Sequence, residues 1–301
     1  MWHAMRGRTP CNHADRMPRP PSIHVLIPTY ERAALLRVAL ESVAIERRPG
    51  VRITVVDDAS ACPDVKSVAS EFSTRGVEYV RNAYNVGIGR NFQRCVDLAG
   101  GGNVVIIGSD DFLLPGYVST IRRAAAAYDC PEMLHPGVIV VDEYGRPFAP
   151  MVDRVKAMVR RAALRPGAVS GRTLATSLAL GNWMYFPSIA WRLDALRRFG
   201  FVVRYRTVMD LDLALKIAMA NGRMGITDER AFAYRRHRSS VSSTEAKAGT
   251  RFAEEDEVMR RLATEAAREG RRTTALAATL RPTSRLHRVG LRALQLRDRT
   301  N

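Results

Sequence analysis

Short apolar runs that alternate with segments of helical periodicity are the feature that most constrains this chain. Each run stops at a proline or at acidic and polar residues, and so predicts a short buried strand; in order the stretches read SIHVLIP, RITVVDDAS, VEYVRN and NVVIIGSDD. The segments between them carry apolar residues at helical spacing, as Leu36, Leu40 and Val43 do in the first. The alternation predicts an α/β fold in which a mostly parallel central sheet, Rossmann-like in its first half, is flanked by helices.

Polar side chains stand where three of these strands end. PTYER occupies 28–32, Asp57 and Asp58 end the second strand, and Asp110 and Asp111 end the fourth. Turn chemistry explains any one of these clusters taken alone, because Asp, Ser and Thr favour turns. Ligands of parallel sheets collect at the carboxyl ends of the strands, however, so three clusters at such ends predict a binding site.

The alternation loosens from about residue 119. GVIVVDEYGRP predicts a strand that enters a hairpin at Gly145, and the stretch 171–200 predicts a helix, an aromatic loop, a short strand and a second helix. MDLDLALKIAMANGR predicts a helix that stops at Asn221 and Gly222. A strand at AFAYRRHRSSVSS follows, and the chain is helical and charged from about Thr244.

The chain is strongly basic, with a formal net charge of +17. From Arg271 to Asn301 there are eight arginines and a single acid, and Arg285, Arg288 and Arg292 form one stripe at helical spacing. Such a stripe beside an apolar one suits an anionic membrane surface, although a helix docked on the protein's own body explains it equally well. Charge alone also allows a nucleic-acid-binding protein, but no zinc-finger, helix-turn-helix or base-stacking signature accompanies it.

Several classes of protein are disfavoured by composition. No window holds the roughly 18 apolar residues that span a bilayer, and the first 21 residues lack the apolar core of a signal peptide. The four cysteines have no paired spacing, so we expect a reducing cytoplasm with neither a disulfide nor a zinc site.

Seven motifs stand in the order seen in glycosyltransferases of family 2, which have the GT-A fold: IPTYER, VVDDAS, NVGIGRN, GSDDF, a GNW loop followed by PS, MDLDLALK and YRRHRSSVS. The resemblance covers roughly residues 22–243. It implies an inverting enzyme that moves a hexose from a nucleoside diphosphate-sugar, with uridine the expected base, to a hydroxyl of a glycan or lipid-linked acceptor. It also implies a divalent cation, Mn²⁺ or Mg²⁺, and a role in cell-envelope polysaccharide synthesis at the cytoplasmic face of the membrane.

On this basis the chain divides into four parts. We expect a disordered basic arm at 1–21, a nucleotide-sugar-binding half at 22–118, an acceptor-binding and catalytic half at 119–243, and a basic helical tail at 244–301.

The resemblance assigns the donor site. Asp111 would hold the metal, together with His237, and Asp110 would face the ribose; hard cations bind carboxylate oxygens and substrate phosphates. For His237, contact with the diphosphate and a structural or exposed position are open alternatives. Arg235, Arg236 and Arg238 would screen phosphate charge. The remaining nucleotide-sugar contacts are expected at Pro28, Thr29, Tyr30, Glu31, Asp57, Asp58, Asn85, Gly87 and Arg90. For Thr29 and Glu31 helix capping is an open alternative, and Arg90 fits an exposed helix face equally well.

The general base by resemblance is Asp210, which would deprotonate the acceptor hydroxyl. Met209 replaces the Glu that usually precedes it, so a degenerate transferase that only binds nucleotide is a further alternative. Asp212 is about 200° away around the helix and cannot face the same site. In the GNWMYFPS loop Asn182, Trp183 and Tyr185 would contact the acceptor; we expect Trp183 to do so rather than Phe186, for which core packing is the alternative.

Overall fold

In its first part the chain alternates strands and helices, as the sequence predicts. The computed structural model describes residues 22–236 and 250–283. The elements up to the acidic pair are β1 (Ile23–Thr29), α1 (Ala33–Ile45), β2 (Val51–Asp57), α2 (Asp64–Glu71), β3 (Val77–Arg81), α3 (Ile88–Leu98) and β4 (Asn103–Ile106).

The remainder is less regular. Helix α8 gives way to Asn221, whose φ of 61° is left-handed, and Gly145 makes the predicted turn with a φ of 82°. Helices α4 and α5 were not predicted from the sequence. The elements are β5 (Phe112–Leu113), α4 (Tyr117–Ala127), β6 (Met133–Val141), α5 (Met151–Ala163), β7 (Gly167–Val169), α6 (Gly171–Leu180), β8 (Ala190–Arg192), α7 (Leu193–Phe199), α8 (Met209–Met219), β9 (Met224–Arg235), α9 (Thr250–Arg268) and α10 (Arg272–Leu280).

One sheet runs through both parts in the order β3-β2-β1-β4-β8-β6-β9-β5, and β7 also pairs with β9. The strands β3, β2, β1 and β4 are mutually parallel, which is the Rossmann-like half that the sequence predicts. Beyond β4 the sheet is mixed, because β8 is antiparallel to both of its neighbours while β6 and β9 are parallel. The predicted boundary at residues 118 and 119 falls inside α4, and one sheet joins the two parts that it separates.

Hydrophobic cores cover both faces of the sheet. Along β1 the side chains alternate, since Val25 and Ile27 pack with α1 and α4 on one face, whereas Leu26 packs with α3 and α8 on the other. Burial on both sides explains why the strand is apolar throughout rather than at every second residue.

Helices α9 and α10 pack on the body of the protein. Val258, Met259 and Leu262 of α9 join the core that contains α8, and α10 contacts α6. The arm at 1–21, His237 and the arginine stripe at 285–292 lie outside the described residues. None of the helices in the described ranges is long and apolar enough to cross a bilayer.

Candidate active site

A cleft of about 650 Å³ opens at the carboxyl ends of β1, β2 and β4. Residues between 28 and 111 form one side, here called the N-terminal wall, and residues between 152 and 251 form the other, here called the C-terminal wall. The volume is in the range of small-molecule sites.

Most of the residues predicted from the sequence to form a site line this cleft. On the N-terminal wall they are Pro28, Thr29, Tyr30, Asp58, Asn85, Gly87, Asp110 and Asp111; on the C-terminal wall they are Asn182, Tyr185 and Asp210. Glu31, Asp57, Arg90 and Trp183 do not line it.

The end of β1 offers the cleft a hydroxyl and an aromatic ring. The Thr29 side chain is buried, and its Oγ1 has no hydrogen-bond partner within the described ranges. Because buried hydroxyls nearly always have a hydrogen-bond partner, the missing partner of Thr29 Oγ1 indicates that a ligand supplies it. Next to it Tyr30 is 48% exposed and presents its ring. Neither residue caps α1, which begins without a side-chain cap.

Asp58 orders the turn that leads into α3. Its carboxylate accepts hydrogen bonds from the backbone N–H groups of Val86 and Gly87, each at 2.9 Å, and from Asn82 Nδ2 at 2.9 Å. Gly87 has a φ of 82°, which favours glycine. The start of a helix is thereby presented to the cleft, where its N–H groups favour an anion.

Asp57 is not available to a ligand, contrary to the prediction. Its side chain is 1% exposed and accepts hydrogen bonds from Tyr79 Oη at 2.6 Å and from Ser60 Oγ at 2.5 Å. Glu31 likewise lies outside the cleft, because its carboxylate accepts bonds from the N–H groups of Ala61 and Cys62. Both acids instead hold the loop that follows β2.

Arg90 also departs from the prediction. It is exposed on α3 and faces a separate shallow surface with Gln93 and Asp97. Gly89, one residue earlier, packs against backbone, since an added Cβ would lie 2.2 Å from the Val203 carbonyl oxygen. The helix is therefore turned so that Arg90 points away from the cleft.

Asp110 and Asp111 form an acidic pair on the N-terminal wall. Asp111 is 2% exposed and accepts a hydrogen bond from the Arg235 N–H at 2.8 Å, while Asp110 pairs with Arg32 Nη1 at 3.1 Å. Burial, and then the adjacent Asp110 carboxylate, raise the pKa of Asp111 well above its usual value. A cation bound here would stabilise the charged form of Asp111 and so offset both effects.

The two acids in the first turn of α8, Asp210 and Asp212, point in different directions, as helical geometry predicts. Asp210 lines the cleft from the first turn. Asp212 is fully buried and forms ion pairs with Lys216 at 2.8 Å and with Arg261 of α9. Burial raises the pKa of Asp210, and nearby N–H groups and the charges of Lys156 and Arg251 partly offset this.

Helix α5 supplies a cluster that sequence reasoning missed. Asp153 accepts a bidentate ion pair from Arg236, at 2.6 and 2.8 Å, and a hydrogen bond from Tyr185 Oη at 2.8 Å. One turn further along, Lys156 Nζ donates to the Met184 carbonyl at 3.1 Å and lies 4.6 Å from the Tyr185 ring centre. The sequence pattern that could have revealed this cluster is the three-residue spacing of Asp153 and Lys156, which puts both on one helix face.

Trp183 belongs to the core rather than to the cleft. It is 1% exposed, its ring lies 5.4 Å from that of His135, and its Nε1 donates to Ser177 Oγ at 3.3 Å. The aromatic residues of this loop that line the cleft are Tyr185 and Phe186. Phe186 packs on Phe92 and Phe201 and also faces the cleft, so its packing in the core does not exclude contact with a ligand there.

Comparison with known proteins finds a family match in the first part of the chain. Residues 24–131 match the family described as Glycosyl transferase family 2. An uncharacterized protein of Mycobacterium tuberculosis, MT1568, is 27% identical over 249 residues, which is 78% of this chain and 73% of that protein. A GalNAc(5)-diNAcBac-PP-undecaprenol beta-1,3-glucosyltransferase of Campylobacter jejuni is 32% identical over 108 residues, 35% of each chain.

Solved structures extend the likeness beyond the family match. Residues 1–349 of S. aureus TarS in complex with UDP-GlcNAc superpose with a TM-score of 0.64 at 18% identity, covering 86% of this chain and 72% of that one. The same protein without ligand gives a TM-score of 0.62 at 17% identity. At such identities the likeness shows the fold alone. Residues 24–131 thus match glycosyltransferase family 2, and the chain shares the GT-A fold of the TarS structures.

Proposed function

We propose that the protein transfers a sugar from a nucleoside diphosphate-sugar to an acceptor hydroxyl, inverts the anomeric carbon and uses Asp210 as the general base. The observation that carries the proposal is that the acidic pair Asp110 and Asp111 and the lone acid Asp210 lie on opposite walls of one cleft. A donor held at the first would meet an acceptor held at the second, and such positioning supplies much of the rate in a two-substrate reaction.

The donor's nucleoside would lie along the N-terminal wall. The Tyr30 ring gives it a stacking surface, and the unpartnered Thr29 hydroxyl gives it a hydrogen bond. The diphosphate would lie between the start of α3 and the acidic pair, within reach of the Arg32 and Arg235 charges that line the same cleft. The TarS structures contain UDP-GlcNAc and UDP, which supports a uridine diphosphate-sugar as the donor here.

The acidic pair fits a divalent cation. Two adjacent carboxylates suit Mg²⁺ or Mn²⁺, because such ions often take one or two carboxylates and complete their shell with phosphate and water. When bound, the cation would neutralise charge on the departing diphosphate. Asp111 is buried, and one of its oxygens is already bonded to the Arg235 N–H, so its position is fixed.

The chemical step needs one base and one leaving group. Asp210 takes the proton of the acceptor hydroxyl, and that oxygen attacks the anomeric carbon from the face opposite the diphosphate. The new glycosidic bond forms as the bond to the diphosphate oxygen breaks, and the diphosphate leaves with the electron pair. Attack from the opposite face inverts the carbon.

The acceptor would occupy the C-terminal wall. Tyr185 and Phe186 offer it aromatic faces, and Asn182 offers it an amide. The Campylobacter jejuni relative is named for transfer to an undecaprenyl-linked glycan, which supports a glycan or lipid-linked acceptor. Such an acceptor would keep the enzyme at a membrane surface, and the arginine stripe at 285–292 is the candidate contact.

The test is calorimetric titration with a panel of nucleoside diphosphates, with and without Mn²⁺, on the wild type and on Asp111→Asn. We expect one nucleotide to bind in a metal-dependent way and the dependence on Mn²⁺ to be lost in the variant. Arg90→Gln is a matched control, because Arg90 lies outside the cleft. If no nucleotide binds under either condition, the proposal is wrong.

A further inference from the structure

The C-terminal wall carries two cations that the proposed reaction leaves unused. Lys156 comes from the second turn of α5 and Arg251 from the first turn of α9. Both line the cleft together with Asp210. Each acts on the pKa of the Asp210 carboxyl, so the three charges are close to one another.

Charge pairing in this part of the cleft is incomplete. The carboxylate of Asp153 is taken up by the bidentate pair with Arg236. Lys156 has only the Met184 carbonyl and the Tyr185 ring as partners, and Arg251 has no hydrogen bond or ion pair to any residue that the structure describes. Among the cleft-lining residues of the C-terminal wall that the structure describes, Asp210 is thus the carboxylate left to balance Lys156 and Arg251.

An unbalanced cation at a half-buried position is costly, because burial removes water without supplying a counter-charge. Burial, together with the nearby charges of Arg236 and Arg251, lowers the pKa of Lys156 to about 8. An anion between Lys156 and Arg251 would offset this cost, and both side chains form strong charge-assisted hydrogen bonds to phosphate or carboxylate.

We propose that Lys156 and Arg251 bind an anionic group of the acceptor, a phosphate or a carboxylate, beside the hydroxyl that is glycosylated. The inference rests on the proposed function, because it takes Asp210 as the base. A base must lie within hydrogen-bond reach of the acceptor hydroxyl, so its cationic neighbours contact the acceptor too. The donor's diphosphate has its own place at the acidic pair on the opposite wall.

The test compares two synthetic ligands, an alkyl glycoside and the same sugar linked to the alkyl chain through a phosphodiester. Each is titrated into protein saturated with UDP and Mn²⁺, so that the donor site is filled. We expect the phosphodiester to bind at least about tenfold more tightly to the wild type, and this preference to be lost in Lys156→Gln and in Arg251→Gln. A uronic acid glycoside tests whether a carboxylate serves as well.

Two controls separate binding from folding. Arg161→Gln removes a charge from an exposed position of α5 away from the cleft, and it should leave the preference intact. Lys156→Arg keeps the charge and should retain most of the preference. Thermal melting identifies any variant that fails to fold.

Two results would overturn the inference. One is equal binding of the neutral and the anionic ligand to the wild type; the other is an equal loss for both ligands in Lys156→Gln and Arg251→Gln. Binding of UDP is measured first on the same protein. If UDP binds and the anionic preference is absent, this inference alone is wrong, whereas absence of UDP binding counts against the proposed function itself.

Discussion

At the scale of single residues, neighbouring acids in this chain have unlike roles, and their partners decide which role each has. Asp57 and Asp58 are adjacent, yet the first is enclosed by Tyr79 and Ser60 while the second reaches the edge of the cleft. The sequence predicts an acidic strand end here but cannot separate the two, because Tyr79 is brought in by strand pairing. For Asp210 and Asp212 the sequence does predict different orientations, since residues two apart on a helix point in different directions.

Asp210 carries the sharpest residue-scale prediction. Asp210→Asn keeps the shape of the side chain but removes the base, so turnover should fall by about 10²-fold or more while UDP binding is unchanged. The measurement is release of UDP from UDP-sugar in the presence of acceptor, beside calorimetric binding of UDP. A degenerate transferase would instead bind UDP and show no turnover in either form.

The pH dependence of the same reaction follows from the burial of Asp210. Burial raises the pKa of its carboxyl, and a base works only when deprotonated, so activity should fall as the pH drops through this raised pKa. The acid limb of the kcat profile should therefore lie above the usual range for aspartate, which is near 3.9. A limb at or below that value would contradict Asp210 as the base.

At the scale of elements, the sequence predicts the strands and helices of the first part well, because their apolar periods are clean. Helix α5 was missed, and with it Lys156, because that helix lies on the surface and its most buried residue is the charged Asp153. The pairing of β8 between β4 and β6 was also unforeseen. A three-residue strand carries too little pattern to reveal its neighbours.

Helix α9 holds the segment that leads into Asp210, the proposed general base. The Glu254 carboxylate accepts hydrogen bonds from the N–H groups of Arg206 and Thr207, at 2.9 and 3.0 Å, and from Thr207 Oγ1 at 2.8 Å. Asp210 lies in the first turn of α8, three residues after Thr207. Through Glu254, helix α9 thereby helps to fix the position of Asp210.

Glu254→Gln should therefore weaken catalysis without weakening donor binding. The amide replaces one acceptor oxygen by a donor, so at least one N–H of the segment loses its partner and Asp210 shifts. We expect kcat to fall by about tenfold with UDP binding unchanged, since small displacements of a catalytic group are costly. Glu265→Gln, at an exposed position of the same helix, is the control. Equal kcat in the two variants would contradict the positioning role.

At the scale of the whole molecule, the site exists only because two unlike half-sheets are joined through β4 and β8. The parallel half gives the N-terminal wall, and helices from the second part, with α9, give the C-terminal wall. The family match ends at residue 131, so it covers the first wall alone. Sequence reasoning located the proposed donor wall more completely than the proposed acceptor wall, because the latter is assembled from segments that are distant in the sequence.

Two buried histidines, one in each half of the sheet, should make the stability of the whole molecule depend on pH. His24 of β1 and His135 of β6 are 1% and 3% exposed. Burial, assisted by neighbouring cations, lowers their pKa values from 6.5 to about 4 and about 3. Each is therefore neutral in the folded protein at pH values where the unfolded chain is protonated.

Because the unfolded state then binds more protons, the free energy of unfolding falls as the pH drops below about 6.5. Each histidine should cost about 2 kcal/mol between pH 7.5 and pH 5. Asp111 and Asp210 act in the opposite sense, since their raised pKa values favour the folded state as the pH falls, so the wild-type slope alone does not isolate the histidines.

A variant isolates them. His24→Asn keeps an acceptor for the Gly100 N–H, which His24 Nδ1 accepts at 3.1 Å, and removes the titrating ring. Urea denaturation at pH 7.5 and pH 5 should show a lower stability at pH 7.5 but a pH-dependent loss that is smaller than that of the wild type by about 2 kcal/mol. An unchanged loss would mean that His24 stays neutral in both states or titrates in both, and that β1 contributes nothing to the acid sensitivity of the fold.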